Sequence, residues 1–253
     1  MLSEERRREI LERLQSDGRV LVGDLAKRFR TSLITIRKDL GHLHQEGVLE
    51  RTHGGALPLK TGALKDSSLQ EKSRLHRTDK LRIATAAVQM IREGQVVILD
   101  SGTTTTAIAR ACRHFKKLTI ITNATNIAAD LAETKVEVIL TGGVLRQNSY
   151  SLVGPLAEES LRKLSADLLF LGGDGFDVHY GLTTPNLLEA RVNRAMAESA
   201  RRTVVVCDSS KFGRRSLSLI IPTSSVHETV TDKNIPKHDL KALREADIAV
   251  KLV

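Results

Sequence analysis

The chain has 253 residues, 41% hydrophobic and 27% charged, which is enough for packed cores and too apolar for a disordered chain. With 39 lysines and arginines against 30 aspartates and glutamates, its net charge of +9 suits a polyanionic partner without saying which. Two tyrosines, five phenylalanines and no tryptophan exclude an aromatic platform for single-stranded nucleic acid, so duplex DNA is the polyanion to look for.

The basic excess is concentrated early: residues 1–80 carry a net +5 and the other 173 a net +4. Ser3 is placed to cap a first helix with an apolar stripe of Ile10, Leu11 and Leu14, ending near Asp17-Gly18. A second, short helix is expected over about 22–29, with Leu25, Ala26 and Phe29 inward. After a tight turn, Ser32 caps a third helix with Ile36, Leu40 and Leu43 on one face, closed by Gly47. Residues 48–55 then read as a short strand and a turn that Gly54-Gly55 allow to be tight. Three helices and a turn-rich hairpin within 1–57 make the plan of a winged helix-turn-helix.

The core face of the third helix turns Thr35, Arg37 and Lys38 outward near its N-terminus, where free amides and the positive dipole end suit a phosphate. Arg37 carries a fork that fits guanine edges and is the expected base reader; Thr35 and Lys38, with Ser32 at the cap, are expected on the backbone. Leu33 has two readings, a core residue or a contact to a thymine methyl. Arg51 and His53 in the hairpin are expected to reach an adjacent groove or its phosphates. A merely solvated face would explain an isolated Arg-Lys pair, but it does not explain the capped basic helix and the glycine hairpin together.

The stretch 58–80, with Lys60, Gly62, Asp66, Ser67, Ser68 and Lys72, is polar and weakly periodic and reads as a linker. From 81 to 253 the pattern becomes alternation. Strand-like runs fall at 95–100, 118–123, 136–141, 168–172, 203–208, 228–232 and 248–253. Helical stretches lie at 81–92, 104–114, 127–133, 156–164, 187–201 and 240–245. This predicts an α/β domain with a mostly parallel sheet flanked by helices, and the run Val204-Val205-Val206 suits a sheet covered on both faces.

Four strand ends carry polar or glycine turns that can converge on a ligand. Asp100, Ser101, Gly102, Thr103, Thr104 and Thr105 end a strand and open a helix, combining backbone access, hydroxyl donors and a helix N-terminus. Thr122-Asn123, Thr141-Gly142-Gly143 and the turn holding Asp174, Gly175 and Asp177 are the others; Lys211, after a further strand, supplies charge for a phosphate. Each alone is an ordinary loop, but together they predict an anionic, polyhydroxylated ligand such as a phosphorylated sugar. The spacing fits neither a Walker motif nor a dinucleotide fingerprint. His42 and His44, two apart on a helix, cannot face one metal, so no metal or cofactor is expected. A Ser-His-Asp triad cannot be assembled from the spacings. Cys112 and Cys207 make no disulfide framework, Cys207 sits in an apolar strand as an inert thiol, and the charged start lacks an apolar leader. A cytoplasmic protein that keeps off the membrane is expected.

Ser32-Leu33-Ile34-Thr35-Ile36-Arg37-Lys38-Asp39-Leu40, followed by Arg51-Thr52-His53-Gly54-Gly55-Ala56, resembles the signature of the DeoR family of bacterial transcriptional regulators. It departs from that signature at Arg30, where the family usually has glycine, and at Thr31, where it usually has valine. The strand-end residues above, with Asp208 through Phe212, look like the family's sugar-phosphate sensor domain, which is related in fold to ribose-5-phosphate isomerase. The resemblance implies a regulator, a repressor above all, on double-stranded operator DNA, answering to a phosphorylated sugar. Two or more copies, as a dimer or tetramer, would set the recognition helices in successive grooves. The isomerase pattern follows its aspartate turn with Lys-Gly-Gly-Gly and a basic glutamate. Here Glu189 matches the glutamate, while Gly181-Leu182-Thr183-Thr184 replaces the lysine run and removes its electrophile. A pocket without catalysis is therefore expected. One alternative is an isomerase or bifunctional protein resting on Asp174, Asp177, Glu189 and Lys211, and another is a second domain that serves only assembly. Within the family, residues 187–194 and 209–212 look like the N-acetylgalactosamine operon repressors.

Overall fold

The computed structural model describes residues 3–17, 19–45, 48–58 and 66–253. Its contacts divide the chain into two units, Met1–Lys65 with Arg74–His76, and Asp66–Ser73 with Arg77–Val253.

The first unit runs α1 (Ser3–Asp17), β1 (Val20–Leu21), α2 (Val22–Arg28), α3 (Leu33–Gln45), β2 (Leu49–Thr52) and β3 (Gly55–Pro58). The predicted stripes meet in one core, where Ile10, Leu14, Leu25, Ile36, Leu40, Leu43 and Leu49 are all buried. Ser3 is itself helical rather than the residue before the helix, and Gly18 and Gly47, the expected helix ends, lie outside the described residues. The three strands pair antiparallel in the order β1-β3-β2, with His53-Gly54 as the loop between β2 and β3. Gly55 is required by close approach, since a Cβ there would lie 1.9 Å from the Val20 carbonyl oxygen. Helix α2 ends in a Schellman turn: Thr31 N donates to Ala26 O at 3.0 Å and Arg30 N to Lys27 O at 3.3 Å, with Arg30 left-handed at φ +46°. The position the family usually fills with glycine thus keeps its left-handed backbone.

The second unit opens with α4 (Leu69–Arg74), most of which it includes, and α5 (Arg77–Val88). Of the stretch expected as a linker, 59–65 lie outside the described residues, while much of 66–80 is helical. There follow β4 (Val96–Leu99), α6 (Thr103–Ala111), β5 (Thr119–Thr122), α7 (Thr125–Leu131), β6 (Glu137–Leu140), β7 (Val144–Arg146), β8 (Ser151–Val153), α8 (Pro155–Arg162) and β9 (Leu168–Leu171). The chain continues through β10 (Gly175–Asp177), β11 (Gly181–Thr184), α9 (Leu187–Glu198), β12 (Thr203–Val206), β13 (Ser218–Ile221), β14 (Glu228–Thr231), α10 (Lys237–Glu245) and β15 (Ala249–Leu252).

All seven predicted strands form one sheet in the order β15-β14-β12-β9-β4-β5-β6, and every pairing in it is parallel. Both faces are covered. Ile98, Leu169, Leu171 and Val205 pack with Ala157, Leu161, Val192 and Met196 of α8 and α9. The alternating neighbours Val97, Leu99, Phe170, Val204 and Val206 pack with Ile83, Ile108, Ile127 and Leu131 of α5, α6 and α7. The sequence patterns did not anticipate the β7–β8 hairpin or the antiparallel sheet β10-β11-β13.

Candidate functional site

In the first unit the chemistry gathers where α3 begins. Ser32 caps the helix, its Oγ accepting from Thr35 N at 3.1 Å and lying 2.9 Å from Thr35 Oγ1. Thr35 is consequently half-buried and tied to the cap, whereas Arg37 and Lys38 are exposed and their side chains hold no partner among the described residues. Leu33 is 47% exposed, so of its two readings the core one fails, and Ile34 beside it is 75% exposed. Arg51 and His53 are exposed on the hairpin, and the Arg51 guanidinium leans toward α3, where a Cβ on Gly41 would lie 3.6 Å from Nη1. Asp39, in the middle of the motif, turns inward instead. It accepts from Arg6 Nε at 2.6 Å and Arg7 Nε at 3.2 Å, which fixes α3 against α1.

In the second unit a cleft opens beyond the carboxyl ends of the neighbouring strands β4, β9 and β12. Its floor is the turn from β4 into α6, lined by Asp100, Ser101, Gly102, Thr103 and Thr104. The first amides of α6 have no carbonyl behind them within the helix and mark its electropositive end. Asp100 organises this turn: its carboxylate accepts from Thr105 Oγ1 at 2.6 Å, Gly102 N at 3.1 Å and Gly172 N at 2.9 Å. Burial pushes the Asp100 carboxyl above the usual range, and these three donors oppose the shift.

Asp174, Glu189 and Lys211 line the same cleft. Glu189 Oε1 accepts from Arg146 Nη1 at 2.9 Å and Ser151 Oγ at 3.0 Å. The other expected ligand residues do not line it. Thr105 spends its hydroxyl on Asp100 and on the Gly102 carbonyl, behind the wall. Thr122 and Asn123 are fully buried and bonded to the carbonyls of Leu99 and Leu152. Gly142 and Gly143 shape the turn before β7, at φ +72° and +119°. Gly175 sits where a Cβ would come 2.5 Å from the Arg214 carbonyl oxygen. Asp177 pairs with Arg215 at 2.7 Å, which holds its carboxyl below the usual range.

The sequence reading missed Lys72, Lys80 and Asn193, which also line the cleft. Lys72 Nζ lies 2.6 Å from Asp174 Oδ1, and Lys80 Nζ donates to the Lys72 carbonyl at 2.5 Å. Burial, reinforced by the charges of Lys211 and Lys72 and opposed by Asp208 and Asp174, pushes the Lys80 ammonium down to about 8. Both lysines fall in the stretch read as a linker, where no periodicity marks a buried side, and Asn193 has no motif around it. Among the described residues no cluster of three or more histidines, cysteines or carboxylates suits a metal ion, and no helix is long and apolar enough to cross a membrane.

Residues 6–61 match the family model described as the DeoR-like helix-turn-helix domain, and residues 75–233 match that of the DeoR C terminal sensor domain. The chain is 44% identical, over 98% of its length and 93% of the relative's, to a putative aga operon transcriptional repressor of Escherichia coli O157:H7. It is 39% identical to the HTH-type transcriptional regulator GlpR of Haloferax volcanii, covering 99% of this chain and 98% of that one. Among solved structures, a D-ribose-5-phosphate isomerase in complex with phospho-erythronic acid overlaps 53% of this chain and 52% of its own at 14% identity and a TM-score of 0.40, too partial to bear on function.

Proposed function

The chain belongs to the DeoR family of transcriptional regulators, and from that premise we propose that it is a repressor of sugar-metabolism genes, released from operator DNA by a phosphorylated sugar. The observation that carries this reading is the cleft itself. Three lysines and the amino end of α6 offer positive potential, while Asp174 and the Asn193 amide offer hydrogen-bond acceptors for hydroxyls. In the reading unit, Arg37 and Lys38 are exposed beside the capped end of α3, as base and phosphate contacts require. Arg51 and His53 serve the neighbouring phosphates, and Leu33 meets a thymine methyl. The protein acts in the cytoplasm as a homo-oligomer that presents paired recognition helices to a repeated operator.

The cleft binds without catalysing. Isomerisation needs a free carboxylate base and an electrophile beside the developing oxyanion. Glu189 is engaged by Arg146 and Ser151, and the segment in place of the lysine-glycine run is the buried strand β11. The test is a thermal-shift panel of aldose, ketose and amino-sugar phosphates, with N-acetylgalactosamine 6-phosphate among them. A ligand at 100 times its Kd adds about 2.7 kcal/mol of stability. No shift with any sugar phosphate would leave the second unit a purely assembling one. Aldose–ketose interconversion abolished by Glu189→Gln would make the protein an enzyme.

A further inference from the structure

Residues 66–72 run along one side of the cleft, which Ser67, Leu69 and Lys72 line. Bonds to the β7–β8 hairpin hold the front of this stretch. Asp66 pairs with Arg146 and accepts from Asn148 Nδ2 at 3.2 Å, Leu69 N donates to Asn148 O at 2.8 Å, and Gln70 Nε2 donates to Tyr150 Oη at 3.2 Å. Its far end is fixed separately, by Lys80 Nζ on the Lys72 carbonyl and by the pair of Lys72 with Asp174. Arg146 is the centre of the front attachment. One guanidinium nitrogen meets Asp66, while the other donates to Ser149 Oγ at 2.8 Å and to Glu189 Oε1 at 2.9 Å, two residues of the cleft wall.

Two observations mark this stretch as a movable cover rather than a fixed wall. No residue of α4 is buried, and Asp66, Ser67 and Ser68 are only half-buried, so polar bonds rather than apolar packing keep it in place. The other walls come from β9, β12, α6 and α9, which are rooted in the cores. The second observation is size: the cavity has a volume of about 70 Å³. Pockets that bury small organic ligands run to roughly 300–1,000 Å³, so an occupant of that kind needs the walls to part. The stretch with no buried residue is the one that can give way.

We propose that residues 66–72 are a strap that closes the cleft, with Arg146 as its latch, and that the strap lifts from the hairpin whenever an occupant enters or leaves. The proposal rests on the reading of the cleft as a sugar-phosphate site. Arg146 suits a latch because its planar fork holds strap and wall at once. When Asp66 lets go, the guanidinium stays bonded to Glu189 and Ser149 and the freed carboxylate passes into water, so opening leaves no charge buried alone. The Lys72 end, tied to α5 and to the turn after β9, is the pivot.

The test reads access to the cleft in the full chain, with iodoacetamide as the probe and mass spectrometry as the readout. Cys207 is a buried free thiol that lines the cleft, whereas Cys112 is a buried free thiol in the core on the other face of the sheet. Burial pushes both thiols above their ordinary range, so each reacts through opened forms and its rate follows their population. Asp66→Asn, which keeps the shape and removes the charge, should speed alkylation of Cys207 about tenfold or more, as loss of a charge-assisted bond does, and leave Cys112 at the parental rate. Asn148→Ala should act in the same direction, and Asp66→Glu, which keeps the charge, should return Cys207 toward the slow rate. Amide exchange at Leu69 should quicken together with Cys207, while that of Ile98 in the sheet stays as it was. Parental alkylation of Cys207 in both Asp66→Asn and Asn148→Ala, or equal acceleration of Cys112, overturns the strap and leaves the sugar-phosphate reading standing. If no sugar phosphate of the thermal-shift panel stabilises the chain, that reading falls and the strap's occupant with it, whatever Cys207 shows.

Discussion

Arg30 shows how far one residue's conformation can be read from a sequence. Its neighbours marked a helix-ending turn, and the backbone there is left-handed at φ +46° although the side chain is not glycine. A Cβ in that region costs about 1 kcal/mol, so Arg30→Gly should stabilise the reading unit by up to about that much in a urea titration. An unchanged or lowered midpoint would mean that the arginine side chain offsets its own strain. Arg37 was legible for a different reason: a fixed core stripe leaves the opposite face of a helix determined. Its exposure and its lack of a partner among the described residues make Arg37→Ala a clean test, expected to cost about 1–3 kcal/mol of operator affinity with the preference for one base relaxed. Binding at parental strength in a footprint would take Arg37 out of the recognition surface.

Lys80 is the opposite case, a residue whose environment no local pattern announced. Folded, it titrates near 8, while in the unfolded chain a lysine titrates at about 10.4. Below pH 8 both states carry the proton and the native state bears the cost of burying the charge. Between 8 and about 10.4 the unfolded state holds a proton that the native state has released, so this residue's contribution to stability rises with pH across that window. Lys72, Lys211, Asp174 and Asp208 are the charged groups that face it. Urea midpoints of the parent and Lys80→Met between pH 7 and 10 should therefore converge as pH rises. A constant gap would show that Lys80 keeps its ordinary titration.

Elements were legible wherever one rule governed a whole run. Val96-Val97-Ile98-Leu99 is apolar throughout because helices cover both faces of the interior strand it forms. The interior strands β9 and β12 are buried along their whole length in the same way, while the edge strands β6 and β15 are partly exposed and carry Glu137 and Lys251. Strands β10 and β11 were hidden because three or four residues rich in glycine and threonine carry the composition of a turn. β10 is a strand through its pairing with β11, and β11 in turn through its pairing with β13, more than 30 positions away, a partner that no local pattern encodes. The same limit separated the cleft residues that were found from those that were not. Asp100 to Thr104 announce a strand-to-helix turn, whereas Lys72 owes its place to bonds its segment makes with Asn148. Gly55 is an element-scale constraint that sequence can flag but not explain. Gly55→Ala should disrupt the pairing of β1 with β3 and destabilise the reading unit by more than the roughly 1 kcal/mol of an ordinary strand substitution, measurable by chemical denaturation, because backbone rather than a movable side chain blocks the methyl group.

At the scale of the molecule, the proposed function gives two sets of basic residues two different uses. Arg37, Lys38 and Arg51 are spread over an exposed surface, as suits a long polyanion, whereas Lys72, Lys80 and Lys211 converge in a cleft, as suits a small one. A regulator built this way works only if the small anion binds unequally to the DNA-bound and free forms, with a coupling of about 1–3 kcal/mol. The most direct test selects an operator for the full chain from a random duplex library and follows it by fluorescence anisotropy while the sugar phosphate from the thermal-shift panel is added to saturation. Operator affinity is predicted to fall by about 5- to 150-fold, with the operator weakening the sugar phosphate by the same factor. An operator affinity that stays constant while the cleft fills would contradict the account.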